Sequence, residues 1–228
     1  MLADQVFKLL LEKVPELIIG KANDGNTVLH YWVMEGKLQP LEYVLNSNVI
    51  ASHLRRDFID QLSMLNDEGN SPLHFVSVSV TDDALALKIV QVLVTAYKQE
   101  RAELFSAAEF QPPWLQKDLE GCNALYNAIE AQREELAVYL LSLDMIKFLE
   151  SDDNLLFLAI ESKCPKVAEE ILRMVQQDAR FVKLLTLDNG RNALHYAPKC
   201  TGDIWTCSFP PCTLSLLFFL LIGWNLQF

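Results

Sequence analysis

The stretch Asp24-Gly25-Asn26-Thr27-Val28-Leu29-His30 decides how this chain folds, because the sequence repeats it. Three later stretches contain the same motif with small changes: Glu68-Gly69-Asn70-Ser71-Pro72-Leu73-His74, Glu120-Gly121-Cys122-Asn123-Ala124-Leu125-Tyr126 and Asn189-Gly190-Arg191-Asn192-Ala193-Leu194-His195. A fifth version, Asp153-Asn154-Leu155-Leu156-Phe157-Leu158-Ala159, lacks the glycine. A glycine beside Asp, Glu or Asn is typical of a tight turn that needs a positive φ. A motif that returns roughly every 30 to 50 residues predicts a stacked array of similar units.

Short amphipathic helices lie beside these motifs. Apolar residues recur at helical spacing in five segments: Phe7, Leu10, Leu11, Val14; Leu41, Val44, Leu45; Val90, Leu93, Val94, Tyr97; Leu136, Tyr139, Leu140, Leu143; and Ala168, Ile171, Leu172, Val175. The predicted unit is therefore a turn followed by two helices, and the predicted fold class is all-α. Because one such unit cannot cover its own apolar face, neighbouring units must stack.

Two of the motifs, Gly25 to His30 and Gly69 to His74, resemble the Gly-x-Thr-Pro-Leu-His centre of the ankyrin repeat. The resemblance covers residues 1–198 and implies a solenoid of about five units, of which the first and last are incomplete. The stretches 11–17 and 190–197 are similar to plant ankyrin-repeat proteins that have a C-terminal membrane domain of the PGG type. Such proteins are membrane-associated regulators of defence, cell death or stress signalling.

The resemblance also implies a role for the recurring histidine, which in ankyrin repeats bonds the backbone of a neighbouring turn. His30, His74 and His195 occupy this position, and Tyr126 and Phe157 replace the histidine in the other two motifs. One recurring position indicates one recurring packing role. We therefore expect the histidines to be structural, with a weaker bonding network where they are replaced.

The spacing of the motifs departs from the ankyrin pattern. The motif leucines are 44, 52, 31 and 38 residues apart, whereas the ankyrin unit has about 33 residues. We therefore expect insertions near residues 46–64 and 98–116. The first contains Ile50, Leu54, Phe58 and Leu62 at helical spacing and predicts an additional or lengthened helix. The second ends in Gln111-Pro112-Pro113-Trp114, whose prolines predict an exposed loop and a candidate contact point.

Residues 199–228 form a hydrophobic tail outside the repeat pattern. Residues 212–228 are uncharged and reach the lower limit of a membrane span, about 17 residues. Trp205 and Trp224 flank the apolar run as interfacial anchors would, whereas Pro210-Pro211 prevents a longer helix. Two interpretations stay open, a membrane anchor or a product of truncation or altered splicing. Since Lys8 and Glu12 interrupt the first apolar run, no secretory signal is indicated. We expect a cytoplasmic protein, alternatively attached to the cytosolic side of a membrane.

Composition and motifs exclude several classes of function. The formal net charge of -11 argues against a nucleic-acid-binding surface. No nucleophile elbow, phosphate-binding loop or His-Glu-x-x-His helix occurs, so we expect no catalytic residue, no cofactor and no metal. His195, Cys200, Cys207 and Cys212 lack the spacing of a zinc site. The acidic pairs Asp82-Asp83, Glu134-Glu135 and Asp152-Asp153 are expected to be solvated surface with side chains that point apart.

The remaining candidate site is the concave surface that ankyrin repeats use, formed by turn tips and the outward residues of first helices. The resemblance places these residues there: Asn23, Asp24, Asn26, Met34, Glu35, Asp67, Glu68, Asn70, Val78, Ser79, Leu119, Glu120, Cys122, Glu130, Ala131, Glu161, Ser162, Asp188, Asn189 and Arg191. As partner-binding residues we select Asp24, Asn26, Glu35, Asp67, Glu68, Glu120, Glu130, Glu161, Asp188 and Arg191. This acidic set predicts a protein partner with a basic segment.

The N-terminal end predicts a second kind of contact. The chain begins in what corresponds to the second helix of a unit, so an apolar edge is expected to face water unless something covers it. Self-association through this edge is therefore expected. The function predicted is a non-enzymatic protein-interaction module in defence or stress signalling. The alternative is a membrane-anchored regulator or assembly subunit held by residues 212–228.

Overall fold

The structure is a computed structural model, and it describes residues 2–48, 50–106, 110–151, 154–185 and 192. Within these ranges the regular structure is helical, with isolated β-bridges and no strand, which confirms the all-α prediction. The α-helices are α1 (Leu2–Lys13), α2 (Val28–Met34), α3 (Leu38–Asn46), α4 (Ser52–Asp60), α5 (Pro72–Ser79), α6 (Asp83–Glu100), α7 (Ala124–Glu130), α8 (Glu134–Leu143), α9 (Met145–Ser151), α10 (Leu155–Glu161) and α11 (Pro165–Gln177). Short 3-10 helices span Pro15–Ile19, Gln61–Ser63, Ala102–Ser106, Pro113–Leu115 and Ala179–Leu185.

The chain divides into two compact units, Met1–Asn127 and Ala128–Phe228. In the first unit α2 packs against α5, and α3, α4 and α5 all pack against α6. In the second unit α11 packs against α8, α10 and the 3-10 helix Ala179–Leu185. Along the chain, α2 is followed by α3 and α5 by α6 in the first unit, and α10 is followed by α11 in the second.

The motif glycines form the turns that the sequence predicts. Gly25, Gly69 and Gly121 have φ values of 80°, 79° and 84°, a left-handed conformation that side chains rarely adopt. Isolated bridges close two of these turns, Lys21 with Thr27 and Lys117 with Asn123. The fourth motif glycine, Gly190, lies outside the described residues.

The first helices begin where the motif supplies a cap. Thr27 and Ser71 precede α2 and α5, and each side-chain oxygen lies close to the ring of the motif histidine three residues later. The same histidine accepts a hydrogen bond from the backbone N–H of the capping residue. This reciprocal arrangement is a capping box, with histidine in the place that Glu or Gln usually occupies.

The predicted core faces are buried in α6 and α11 and only partly buried in α1. The four apolar residues predicted for α6, and the four predicted for α11, are all buried. In α1, Leu11 is buried, but Leu10 is 48% exposed and Val14, just after the helix, is also exposed. Several large apolar side chains of this helix are therefore exposed in the structure.

The insertion at residues 46–64 contains a helix of its own. Ile50, Leu54, Phe58 and Leu62 are all buried, and α4 packs against α6 and the 3-10 helix Pro15–Ile19. The buried side chain of Gln61 accepts the N–H of Leu29 (3.0 Å) and donates to the carbonyl of Ile18 (2.7 Å). The extra helix is thus bonded into the first unit.

The prediction of an exposed loop at Gln111-Pro112-Pro113-Trp114 is wrong. Pro112, Pro113 and Trp114 are buried, and only Gln111 is exposed. The indole ring of Trp114 stacks on Phe105, with ring centroids 6.0 Å apart, and Lys98 Nζ lies 5.2 Å from its centroid. Pro113 begins the 3-10 helix Pro113–Leu115. Burial of the large indole ring draws the segment into the core instead of leaving it in water.

Candidate interaction surface

Consecutive turns of the first unit lie directly on one another. The N–H of Asp67 donates to the carbonyl of Asp24 (3.1 Å). A Cβ atom added to Gly25 would lie 2.6 Å from the Asp67 nitrogen, and one added to Gly69 would lie 2.6 Å from Leu119 Cγ. The motif glycines therefore serve two purposes, a positive φ and the close approach of the next turn.

The first motif histidine joins two turns. Because the N–H of Thr27 donates to Nδ1 of His30 (3.1 Å), the ring proton must lie on Nε2. Nε2 lies 3.0 Å from the carbonyl oxygen of Asn70, to which it donates. Burial lowers the pKa of His30 below its usual value, so the neutral ring is the stable form.

The second motif histidine repeats this arrangement one turn later. The N–H of Ser71 donates to Nδ1 of His74 (3.0 Å), and Nε2 lies 3.1 Å from the carbonyl oxygen of Cys122. Burial lowers the pKa of this ring as well. The structural role expected for His30 and His74 is thus what their geometry shows, and His195 lies outside the described residues.

The predicted partner-binding residues are distributed over both units. Asp24, Glu35, Asp67, Glu68 and Glu120 are exposed in the first unit. Glu130 and Glu161 are exposed in the second unit, at the ends of α7 and α10. Asp188 and Arg191 lie outside the described residues.

Asn26, another predicted partner-binding residue, is buried within the turns. Its side-chain nitrogen donates to Asp24 Oδ2 (2.8 Å), and its oxygen accepts a bond from the buried side chain of Asn66 (3.0 Å). Asn66 Oδ1 in turn accepts the backbone N–H groups of Glu68 and Asn70. The Asn26 amide therefore orders the turns and is not presented at the surface.

Asp24 is held as a carboxylate at the exposed edge of the first turn. The backbone N–H of Asn26 donates to it (3.0 Å), as do the Asn26 amide and the Tyr31 hydroxyl (3.0 Å). These bonds, led by the one from the Asn26 backbone, lower the pKa of Asp24. The negative charge at this turn is thus fixed in position by its own motif.

Exposed apolar side chains lie on the same turns and first helices as these carboxylates. Leu119, next to Glu120, is 79% exposed, Val78 at the end of α5 is 66% exposed, and Tyr31 on α2 is also exposed. We define the turn-tip surface by the following residues of the first unit: Asp24, Tyr31, Glu35, Asp67, Glu68, Val78, Leu119 and Glu120. Lys21, Lys37 and Lys117 are exposed close to it in sequence, and Lys37 pairs with Glu35.

Sequence reasoning missed Tyr31 as a surface residue. The available signal was its position directly after the motif histidine, where the helix turns the side chain away from the buried Leu29. Gln61 and Asn66 were missed too, because a buried amide has no sequence pattern of its own.

The second unit contains an ion-pair group where the sequence predicts only solvated acids. Glu134 and Glu135 do not point apart, since both reach Lys166 at the start of α11. Glu134 also accepts the backbone N–H of Lys166 (2.6 Å) and is only partly exposed. The prediction of simple solvation is therefore wrong for Glu134, because an unpaired N–H at the start of a helix attracts a carboxylate. Asp82-Asp83 is exposed as expected, and Asp152-Asp153 lies outside the described residues.

Cys164 in the second unit is buried and unreactive by its surroundings. Its Sγ lies 3.6 Å from the carbonyl oxygen of Ile129. Burial raises the pKa of the thiol to about 11, so the thiolate needed for nucleophilic or redox chemistry is scarce.

The described ranges contain neither a metal-binding group of side chains nor a membrane-spanning helix. There, no group of three His, Cys, Asp or Glu side chains is placed to hold a metal ion. No helix in the same part of the chain is long and apolar enough to cross a membrane. His195, Cys200, Cys207, Cys212 and the whole tail 199–228 lie outside the described residues.

No protein-family model matches the chain, and a search of the curated proteins gives no match.

Proposed function

We propose that this chain is an ankyrin-type interaction module, without enzymatic activity, that binds a basic and partly apolar protein segment on the turn-tip surface. The observation that supports this most directly is the row of exposed carboxylates and exposed apolar side chains on three consecutive turns. Fixed turns present these groups without further ordering, which lowers the entropy cost of binding.

Several features of the turns support the ankyrin assignment within this proposal. The motif glycines have positive φ, and the motif histidines join consecutive turns through backbone carbonyls at 3.0 and 3.1 Å. The all-helical order of turn, helix and helix fits the same architecture. From the resemblance to plant ankyrin-repeat proteins, we propose a role in defence or stress signalling.

The chemistry of the turn-tip surface indicates what the partner segment contains. Carboxylates of Asp24, Asp67, Glu68 and Glu120 attract lysine or arginine and speed up the encounter. Most of the binding energy comes from a few desolvated contacts, for which Leu119 and Val78 are the exposed candidates. Asn26 is left out of the contact set because its amide is already bonded inside the turns.

A defined peptide tests the proposal. A fluorescein-labelled 12-residue peptide of alternating lysine and leucine is titrated with the full chain, and a peptide with glutamate in place of lysine serves as its control. We expect the lysine peptide alone to bind, with an affinity that falls as salt rises. Leu119→Ser and Glu120→Lys should each weaken binding about tenfold, which is about 1.4 kcal/mol.

The matched control is Asp57→Lys, which changes the net charge by the same amount as Glu120→Lys. Asp57 is exposed on α4, away from the motif turns in sequence. It should change binding less than about twofold, since only the long-range field is altered. Equal effects of the two charge reversals, or equal binding of both peptides, would contradict the proposal.

A further inference from the structure

Exposed apolar side chains are concentrated at the start of the described chain. Six large ones lie within residues 6–19, and we call them the α1 face: Val6, Leu9, Leu10, Val14, Leu17 and Ile19. Val6, Leu9 and Leu10 are three and four residues apart, so they share one side of α1. A contiguous exposed apolar patch on a folded protein marks an interaction site.

The opposite side of α1 is fixed to the rest of the first unit. Phe7 makes edge-to-face contacts with Trp32 and Tyr43, with ring centroids 5.7 and 5.8 Å apart, and Leu11 is buried. Lys8 Nζ lies 5.4 Å from the centre of the Tyr43 ring. The helix therefore presents the α1 face from a fixed position, without having to fold when a partner arrives.

The distribution of charge indicates the partner. Residues 1–21 contain three lysines and three acidic residues, and so have no net charge: Lys8, Lys13, Lys21, Asp4, Glu12 and Glu16. The whole chain has a net charge of -11, so two copies repel each other over most of their surface. Because residues 1–21 carry no net charge, the overall negative charge does not oppose the approach of two copies at the α1 face. A basic partner, in contrast, is attracted to the acidic turn tips.

We propose that the α1 face binds the α1 face of a second copy of this chain, in a two-fold symmetric dimer. An interface of this kind uses the same patch on both copies, so every apolar residue of the face contributes twice. Lysines of one copy and carboxylates of the other can form ion pairs at the edge of this interface, across the two-fold axis. The inference is separate from peptide binding on the turn-tip surface.

The size of the α1 face predicts a reversible dimer. A stable protein interface uses about 20 to 30 residues on each side, far more than this face supplies. We therefore expect full-length chain to be monomeric at about 1 µM and largely dimeric at about 200 µM, as small interfaces dissociate on dilution.

Sedimentation velocity over this concentration range tests the proposal with full-length chain. Leu10→Glu places two charges in the interface and should weaken association at least tenfold. Ile146→Glu is the matched control, because Ile146 on α9 is 43% exposed, close to the 48% of Leu10, and lies in the second unit. It should associate as the wild type does. Leu9→Lys gives an independent variant of the same face, and circular dichroism verifies that all variants are folded.

Amide hydrogen exchange locates the contact. Between dilute and concentrated wild type, protection should increase at residues 6–19, and this increase should be absent in Leu10→Glu. The proposal is overturned if the wild type stays monomeric at 200 µM or if Leu10→Glu associates as the wild type does. It is also overturned if the protection appears elsewhere, since another surface would then hold the copies together. Binding of the lysine peptide should be unchanged in Leu10→Glu, which separates this result from the proposed function.

Discussion

In the motifs at residues 24–30 and 68–74 a buried histidine bonds the backbone of the next turn, whereas the motif at 153–159 buries Phe157 at the same position. The histidine makes directional contacts, because each of its two ring nitrogens is hydrogen-bonded to a specific backbone group. The phenylalanine supplies apolar contact, which has no preferred partner atom. The two versions of the motif position are therefore held by different interactions, and the polar version is the one expected to respond to pH.

The largest expected effect comes from removing a histidine bond. His74→Leu leaves the N–H and the hydroxyl of Ser71 without their acceptor, whereas the carbonyl of Cys122 keeps the N–H of Asp118 (2.8 Å). Since each buried polar group left unpaired costs about 1–3 kcal/mol, we expect a loss of about 4 kcal/mol in the free energy of unfolding.

The comparison variant is Phe157→Leu, which trades one apolar side chain for another and should cost about 1 kcal/mol. The free energy of unfolding of each variant is measured by denaturant titration. Amide exchange, analysed separately in residues 24–127 and 154–185, shows which region loses stability. Equal losses in the two variants would remove the distinction between polar and apolar stacking.

Two glycine substitutions separate the energetic cost of the left-handed backbone from the cost of the clash with the next turn. Gly121→Ala places a side chain at φ 84° with no atom within 4 Å, so only the left-handed backbone is penalised, by about 1–2 kcal/mol. Gly25→Ala adds a Cβ 2.6 Å from the Asp67 nitrogen. Displacing the next turn should raise the cost to about 3 kcal/mol, as overpacking adds about 1–3 kcal/mol. The two unfolding free energies should differ, and similar values would show that the turns can separate freely.

The smallest expected effect is a loss of stability in mild acid around the first two motif histidines. Burial holds the pKa of His30 and His74 below the ordinary value of 6.5. The unfolded chain therefore takes up protons at a higher pH than the folded chain does. The stability that these histidines supply is complete above pH 6.5 and is lost as pH falls through their folded pKa values.

Amide exchange at pH 7 and pH 5.5, corrected for the intrinsic rate, measures this loss. Protection should fall in residues 24–79 more than in residues 154–185, where the sequence contains no histidine. His53→Gln, at an exposed position on α4, is the control and should leave the fall unchanged. A similar fall in both regions would assign the acid sensitivity to other groups.

Much of the fold could be predicted because it depends on local patterns. The glycine in each motif specifies a left-handed turn, and apolar residues at helical spacing specify the buried faces of α6 and α11. The recurrence of His30 and His74 at one position was enough to assign them to packing. Local signals of this kind survive in a single sequence.

The rest depends on contacts between segments far apart in the sequence. The burial of Pro112 to Trp114 is decided by Phe105 and Lys98, which no turn rule includes. The sequence predicts Asn26 to be an exposed turn residue, but its side chain is bonded to the distant Asn66 and is buried. The sequence predicts Glu134 to be a surface residue, but it accepts the backbone N–H of Lys166, 32 residues away at the start of α11. Long-range pairing of polar groups leaves no periodic trace, so a candidate contact set drawn from turns alone includes one residue that is buried.

The direct contact between turns has a consequence for how such a chain changes in length. The carbonyl of Asp24 accepts the N–H of Asp67 even though the extra helix α4 lies between the two turns in sequence. Backbone contacts at the glycine turns set the distance between consecutive turns, whatever the number of residues that connects them. Insertions between the second helix of one unit and the next turn can therefore accumulate over evolution. The pitch of the turn tips, and so the pattern of groups offered to a partner, stays constant.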